Sequence, residues 1–287
     1  MSAPVIVITG ANGFIGSAAA TYFAALGWQV VTAGRKPHRN GYTHLPFNLE
    51  SNTPLQSRLP QNTDVVLHAA YLTLAQNNRA YELNSAGTKA LLDAAAASGV
   101  KQFIFLSSLS AKADAVSVYG RQKFACEKMV LAQNGCVVRP GLVIGRGGLF
   151  AQMHAHIAAG KRIPLFNGGQ QPLQTVYIND LLEALRIIIA QQRKGAFTIA
   201  TPQSIPYRQF FEIMAKYIGK PARFLNLPLA PVKLLLRMAR KLGIRLAAGD
   251  DNLAGLQTMQ HIACEDDLHT LGLTLKTAEE SIAAMQA

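Results

Sequence analysis

The sequence predicts an α/β fold: a doubly wound parallel sheet with a smaller C-terminal lobe. Three observations predict it. An apolar run of β-branched residues, Val5-Ile6-Val7-Ile8, opens the chain and reads as a buried strand. Glycines at Gly10, Gly13 and Gly16 follow it directly, and an apolar helix begins at Phe14 and continues to about Leu26. Further short apolar runs then alternate with helical stretches, the order that builds parallel sheets.

The opening stretch is the strand–turn–helix context that a dinucleotide-binding turn needs, so the sheet is expected to be of the Rossmann type. Gly10 permits the tight turn, Gly13 lets the backbone approach a pyrophosphate, and Gly16 lets the helix pack close to the strand. The helix start at Phe14, Ile15 and Gly16 presents backbone N–H groups and a positive dipole end to phosphates.

The second strand, Gln29 to Ala33, ends at Gly34-Arg35-Lys36. In a dinucleotide fold this strand end meets the adenosine ribose. An acid there bonds the 2′-hydroxyl, whereas arginine suits a 2′-phosphate. No acid stands there, so Arg35 indicates NADP(H) over NAD(H). The alternative is that Arg35 and Lys36 are simply exposed turn residues. Residues 37–63 are too polar and proline-interrupted for a full crossover helix. Tyr42 to Phe47 is expected as a short third strand, with Asn48 and Leu49 beyond it near the adenine. Asp64 to Ala70 is the next buried strand. His68, Ala69 and Ala70 fall at its end, and His68 is expected to lie beside the cofactor without itself being catalytic.

A helix from about Asn84 to Ser98 closes at Gly99, a glycine stop. Phe103 to Ser108 is a strand whose hydroxyls fall at the carboxyl end, where open α/β sheets bind ligands. Tyr119 and Lys123 are spaced i, i+4 and share one face of a helix reaching about Gln133. Cys136 to Pro140 is a sixth strand, and Gly141 to Gly148 a glycine-rich exit. The remainder reads as a helix over Leu149–Ala159, a strand at Thr175–Ile178 and a helix capped by Asn179 or Asp180. After these come a strand at Phe197–Ala200, a helix over Tyr207–Ile218, an extended piece at Arg223–Leu227 and a helix over Pro231–Leu242. A last helix starts at Thr277, where Glu280 three residues on makes a capping-box pattern.

Composition bounds the class. The 287 residues suit one large domain, or a main domain with a lobe, and 49% hydrophobic content allows a sizeable core. No apolar run is long enough to span a bilayer, and the first one ends in the glycine turn rather than in a cleavage site. A cytoplasmic protein is expected. Cys126, Cys136 and Cys264 are odd in number and far apart, which suits buried thiols in a reducing compartment. The net charge of +12 is scattered and accompanies no nucleic-acid-binding motif, so a phosphate-bearing small molecule is the expected partner. The densest basic group, Lys233, Arg237, Arg240 and Lys241, reads as a solvated helix face, with an acidic partner or membrane surface as the alternative. His154 and His156 lie on different faces of a helix and are expected to bind no metal.

Several segments together resemble the extended short-chain dehydrogenase/reductase family of NAD(P)-dependent sugar epimerases, dehydratases and reductases. They are Thr9-Gly10-x-x-Gly13-x-x-Gly16, Ser108, and Tyr119-x-x-x-Lys123. Asp64–Ala70 looks like the family's fourth-strand motif, and Asn84-Ser85-Ala86-Gly87-Thr88 is similar to its N-x-x-G-T helix start. Arg139–Gly145 resembles its R-P-x-x-V-Y-G segment, and Val176–Leu181 its V-H-V-x-D-L segment. The resemblance covers residues 5 to about 190.

It implies Tyr119 as acid/base, Lys123 as its electrostatic partner and ribose ligand, and Ser108 as the group that orients the substrate oxygen. It also implies cofactor contacts from Gly10, Gly13, Phe14, Ile15, Gly16, Arg35, Asn48, Leu49, His68, Ala69, Ala70, Asn84, Tyr119, Lys123 and Val143. The expected layout is an NAD(P)-binding Rossmann domain over 1–150. A substrate-binding lobe follows over 151–287, some of whose strands return to the main sheet. The expected activity is hydride transfer on a nucleotide-linked sugar, as a 4-keto reductase or 4-epimerase, with a homodimer carried over from the family. A non-catalytic NADP(H)-sensing or structural Rossmann protein is the alternative. The chain departs from the pattern in a short loop between Ser108 and Tyr119. Asn48 stands where aspartate is usual, and Leu142 where many members have asparagine. These changes bear on the substrate rather than on the redox chemistry.

Overall fold

The computed structural model describes residues 2–50, 59–73, 79–227 and 259–285. The helix expected over 231–242, with its four basic residues, lies outside them.

The chain runs β1 (Val5–Thr9), α1 (Phe14–Ala25), β2 (Gln29–Gly34), β3 (Thr43–Pro46), β4 (Val65–His68), α2 (Ala80–Ala97), β5 (Gln102–Leu106), α3 (Val118–Ala132) and β6 (Cys136–Pro140). It continues through β7 (Leu142–Ile144), α4 (Gly148–Ala158), β8 (Ile163–Phe166), β9 (Pro172–Leu173), β10 (Thr175–Tyr177), α5 (Ile178–Ala190) and β11 (Gly195–Ile199). The last described elements are β12 (Ile205–Pro206), α6 (Tyr207–Ile218), β13 (Phe224–Leu227), α7 (Glu265–Leu271) and α8 (Ala278–Ala283).

Seven strands form one parallel sheet in the order β11-β6-β5-β4-β1-β2-β3. The chain builds outward from β1 in one direction, then returns to start again at β4 in the other. A crevice therefore opens above the carboxyl ends of β1 and β4, the switch point where such sheets bind ligands. Every residue of β1 is buried. Ile6 and Ile8 enter a core shared with α1, α5 and α7, while Val5 and Val7 enter a second core shared with α2 and α3. A strand covered on both faces needs apolar side chains at every position, which is why its sequence is a continuous run rather than an alternation.

The smaller lobe has its own core, in which Phe150, Ile157, Ile163 and Leu165 meet Phe210, Phe211 and Met214 of α6. Its strands pair in twos: β7 with β10, β9 with β12 and β8 with β13. The chain nevertheless returns to the main sheet through α5 and β11, which pairs in parallel with β6.

Two boundaries differ from the sequence reading for identifiable reasons, and several short elements were not expected. Helix α2 starts at Ala80, four residues before Asn84. Gln122 Nε2 donates to the Ala80 and Tyr81 carbonyls at 2.9 Å, anchoring the extra turn. Helix α5 starts at Ile178, so neither Asn179 nor Asp180 caps it. Asp180 instead lies in the first turn and accepts from Lys276, through the backbone at 2.8 Å and Nζ at 3.1 Å. Strands β7, β8, β9 and β12 and helix α7 have no counterpart in the sequence reading, because strands of two to four residues and a helix of seven hold too few positions to show a period. At the C-terminal end the capping box does form: Thr277 accepts from Glu280 N while Glu280 accepts from Thr277 N. All three cysteines are free and buried. No helix of the described residues is long and apolar enough to cross a membrane.

One buried amide ties the lobe to the sheet. Gln174 Nε2 donates to the Thr201 and Ile262 carbonyls at 2.9 Å, and its Oε1 accepts from Ile262 N at 2.8 Å. Gln174→Leu fills the same space and strands these buried backbone groups, so we expect a loss of about 2–4 kcal/mol in urea unfolding. A loss below about 0.5 kcal/mol would contradict this bonding.

Candidate functional site

The glycine turn is fixed to the end of β4 by a small hydrogen-bond knot. Thr9, the last residue of β1, is paired in register with His68. Thr9 Oγ1 accepts from the Ala69 and Ala70 amides at 3.1 Å and lies 2.7 Å from His68 Nδ1. With two amides already donating to it, the hydroxyl turns its hydrogen to Nδ1. His68 is therefore the Nε2–H tautomer, and that hydrogen is given to Thr88 Oγ1 at 3.0 Å. Burial first, and Lys123 second, hold His68 down to about 3. Both ring nitrogens are thus taken up inside the fold, beneath the turn. Gly10 follows with φ +66°, and a Cβ on it would come within 2.7 Å of the Ala69–Ala70 backbone. A Cβ on Gly16 would come within 2.4 Å of Gly10 O. Residue types at both positions follow from these backbone approaches.

Helix α1 starts from this turn with Gly13 at its N-cap. No side chain caps it and no acid lies in its first turn. Its leading amides, at Phe14, Ile15 and Gly16, fit the phosphates of a dinucleotide. The Phe14 ring itself is taken up elsewhere. It packs against Gly145, Gly147 and Gly148, where added Cβ atoms would come within 2.4–2.9 Å of it.

Beyond β2, Arg35, Lys36 and Arg39 are exposed around the buried His38. Asn40 N donates to His38 Nδ1 at 3.2 Å, so Nε2–H is directed to Ser17 Oγ on α1 at 3.0 Å. The ring stacks on Tyr42 with 5.2 Å between centroids. Asn12 Nδ2 donates to Lys36 O at 2.9 Å and binds this loop to the glycine turn. The loop that carries these three exposed cations is so tied to the start of α1 and the glycine turn.

The second half of the site stands over β5. Ser117 caps α3, accepting from Gly120 N at 3.0 Å. This sets the helix start so that the Tyr119 phenol stands beside the Ser108 hydroxyl. Burial pushes the Tyr119 phenol up, and the Ser108 hydroxyl opposes that shift. Lys123 is buried and donates to Leu106 O at 2.7 Å. Its ammonium lies 4.6 Å from the Phe105 ring centroid, 5.0 Å from Tyr71 and 6.0 Å from Tyr119. Burial lowers Lys123 to about 8 against the opposing pull of Cys126 and Glu127.

The remaining residues singled out in the sequence fall in different surroundings. Asn84 is buried, and its amide grips Leu72 by both backbone groups at 2.8 Å. Asn48 Oδ1 accepts from Glu50 N at 3.1 Å, closing its own turn. Leu49 is buried against Gly87. Val143 lies half-buried in β7. His156 Nε2 bonds Arg162 O at 2.9 Å, and His154 leans on Phe150. Tyr71 escaped the sequence reading. Its ring meets Tyr119 edge-on at 5.1 Å, and its hydroxyl donates to Gln122 Oε1 at 2.8 Å. Its place three residues after His68, in the segment that leaves the carboxyl end of β4, is the signal that would have found it.

A parallel sheet with a glycine turn at its switch point and a serine–tyrosine–lysine group across the crevice defines a class of nucleotide-dependent enzymes. The model of the NAD dependent epimerase/dehydratase family matches residues 6–200, and the chain belongs to that family. It is 24% identical over 270 residues to UDP-glucose 4-epimerase of Vibrio cholerae, covering 82% of each chain. It is 25% identical over 267 residues to the protein y4nG of Sinorhizobium fredii, covering 83% of this chain and 66% of that relative, just short of two thirds. In fold it is similar to the crystal structure of UDP-glucose 4-epimerase with UDP-glucose from Thermotoga maritima. There the TM-score is 0.75 at 19% identity, over 98% of this chain and 97% of the other.

The neutral His68 makes stability depend on pH. The unfolded chain takes up a proton near 6.5 and the folded one only near 3. Stability is therefore lost as pH falls below 6.5, on the order of 2 kcal/mol between pH 7 and pH 5. His68→Gln should flatten this decline in urea unfolding at the two pH values; an unchanged slope would contradict the knot.

Proposed function

We propose that the protein is an NADP(H)-dependent oxidoreductase or epimerase that moves a hydride to or from a sugar carbon. The substrate is a nucleotide-linked sugar, and the reaction a 4-keto reduction or a 4-epimerisation. The carrying observation is the neighbouring Ser108 and Tyr119 side chains with the buried Lys123 ammonium behind them, across the crevice from the glycine turn.

A bound nicotinamide supplies the hydride acceptor or donor. The protein's part is the proton on the substrate oxygen. Tyr119 gives or takes it, and Ser108 holds the oxygen within reach of the phenol. Because burial raises the Tyr119 phenol, its phenolate form needs positive charge nearby, and Lys123 is the protein group that supplies it. The uncapped start of α1 suits the pyrophosphate, and Arg35, with Lys36 and Arg39 beside it, suits a 2′-phosphate. Arg35 favours net reduction, because the phosphorylated cofactor serves mainly reduction, whereas an epimerase retains and regenerates its cofactor. Purification separates the two: tightly retained NAD speaks for the epimerase, exchangeable NADPH for the reductase.

Arg35→Asp should weaken NADPH binding by roughly 1.5–3 kcal/mol while NADH binding changes less or improves. Equal losses for both cofactors in fluorescence titrations would remove Arg35 as the discriminator.

Tyr119→Phe should lower kcat by about 10²–10⁴-fold with cofactor affinity nearly unchanged. Lys123→Met should lose both rate and affinity, and Ser108→Ala rate alone. Near wild-type turnover by Tyr119→Phe on a keto-sugar nucleotide that the native enzyme reduces would sink the mechanism.

A further inference from the structure

Glu127 is fully buried on α3, one turn beyond Lys123, and the proposed chemistry does not use it. Its carboxylate accepts three hydrogen bonds. Ser107 Oγ donates to Oε1 at 2.5 Å, Arg139 Nε donates to Oε1 at 2.9 Å, and Arg139 Nη2 donates to Oε2 at 2.5 Å. Ser107 directly precedes Ser108, and its own amide is fixed to Val138 O of β6 at 2.7 Å. Lys123 holds the preceding carbonyl, that of Leu106. Two consecutive residues at the end of β5 are thus gripped by two residues one turn apart on α3. Tyr119, Lys123 and Glu127 form a single i, i+4, i+8 stripe, so the grip also sets the rotation of α3 that brings Tyr119 to Ser108.

The charges around Lys123 single out the same residue. On its own helix it faces Tyr119, Cys126 and Glu127. β5 presents the Phe105 ring and the Leu106 carbonyl, the segment after β4 presents Tyr71, and β4 itself presents His68. Burial pushes the Tyr119 phenol and the Cys126 thiol up, and it keeps His68 neutral. Of these groups Glu127 alone is a carboxylate, and it is ion-paired with Arg139 of β6 behind it.

We propose that Glu127 is a positioning residue of this site. It fixes the strand end that carries Ser108 and supplies the negative charge that keeps the Lys123 side chain an ammonium. The proposal rests on the reading of Ser108, Tyr119 and Lys123 given above.

Its test follows Lys123 directly, by NMR titration of isotope-labelled lysine side chains in the full chain. The Lys123 signal is identified by its loss in Lys123→Met. Glu127→Gln keeps an acceptor for Ser107 but removes the charge, so Lys123 should titrate about one pH unit lower. Arg139→Gln removes the competing cation, so Lys123 should titrate higher. The alkaline limb of NADPH binding should move with it in each case. A purely structural role for Glu127 predicts lowered melting temperatures and an unmoved titration, and that result in folded Glu127→Gln overturns the proposal. Should Glu127→Gln fail to fold, Arg139→Gln decides: an upward shift supports the proposal, and no shift or a downward one overturns it. If the lysine titration moves as expected but NADPH binds at no pH, the cofactor reading fails and the assignment of Glu127 stands.

Discussion

The hydroxyl of Thr9 is the point on which the crevice depends. It ends β1, takes two amides from the segment after β4 and gives its hydrogen to His68. Those three bonds join the two strands between which the sheet reverses direction. They work only while His68 is neutral, since a second ring proton on Nδ1 would face an oxygen whose acceptor sites are already filled. The turn that follows then has no room for side chains. Gly10 lies against the Ala69–Ala70 backbone and Gly16 against Gly10, so the glycine-turn end of the crevice is shaped by backbone meeting backbone.

The end of the crevice that holds Ser108, Tyr119 and Lys123 is held by other means but is continuous with this knot. His68 packs on Phe105 with 5.6 Å between ring centroids, and the Lys123 ammonium lies 4.6 Å from the same Phe105 ring. A buried ammonium against aromatic faces gains on the order of 1–2 kcal/mol, which offsets part of its desolvation. The carbonyl of Leu106 completes its surroundings. From Thr9 through His68 and Phe105 to Lys123, each group constrains the next. The spacing between the glycine turn and the Ser108–Tyr119 pair is therefore a property of a packed core rather than of mobile loops.

The smaller lobe is attached at two places that bracket the crevice. Phe14, at the start of α1, is enclosed by the glycines of the turn that leads into α4. Gln174 binds the lobe's strands to residues 201 and 262. The lobe is thus fixed to the uncapped start of α1. The return of the chain through α5 to β11 closes the main sheet on that side.

Much of this was legible in the sequence because it is encoded by neighbours in the chain. The β-branched run of β1, the glycine spacing after it, and the i, i+4 relation of Tyr119 and Lys123 are local patterns with local physical causes. So is the capping box at Thr277. Other features depend on which distant residues the fold brings into register. Nothing local to His68 names Thr9 and Thr88 as its partners; the β1–β4 pairing does. Asn84 reads as a helix start, yet it grips Leu72, and Asp180 reads as a cap, yet it holds Lys276. Glu127 shares the stripe of Lys123 in sequence, but its bonds to Ser107 and Arg139 exist only because β5 and β6 end side by side beneath α3. The sequence by itself determined the sheet, its glycine turn and the shared helix face of Tyr119 and Lys123, since each follows from backbone conformation and periodicity within a few residues. Only the tertiary structure decided which polar groups are used up in holding that frame and which are left facing the crevice, because hydrogen-bond partners far apart in the chain are chosen by strand register and helix rotation.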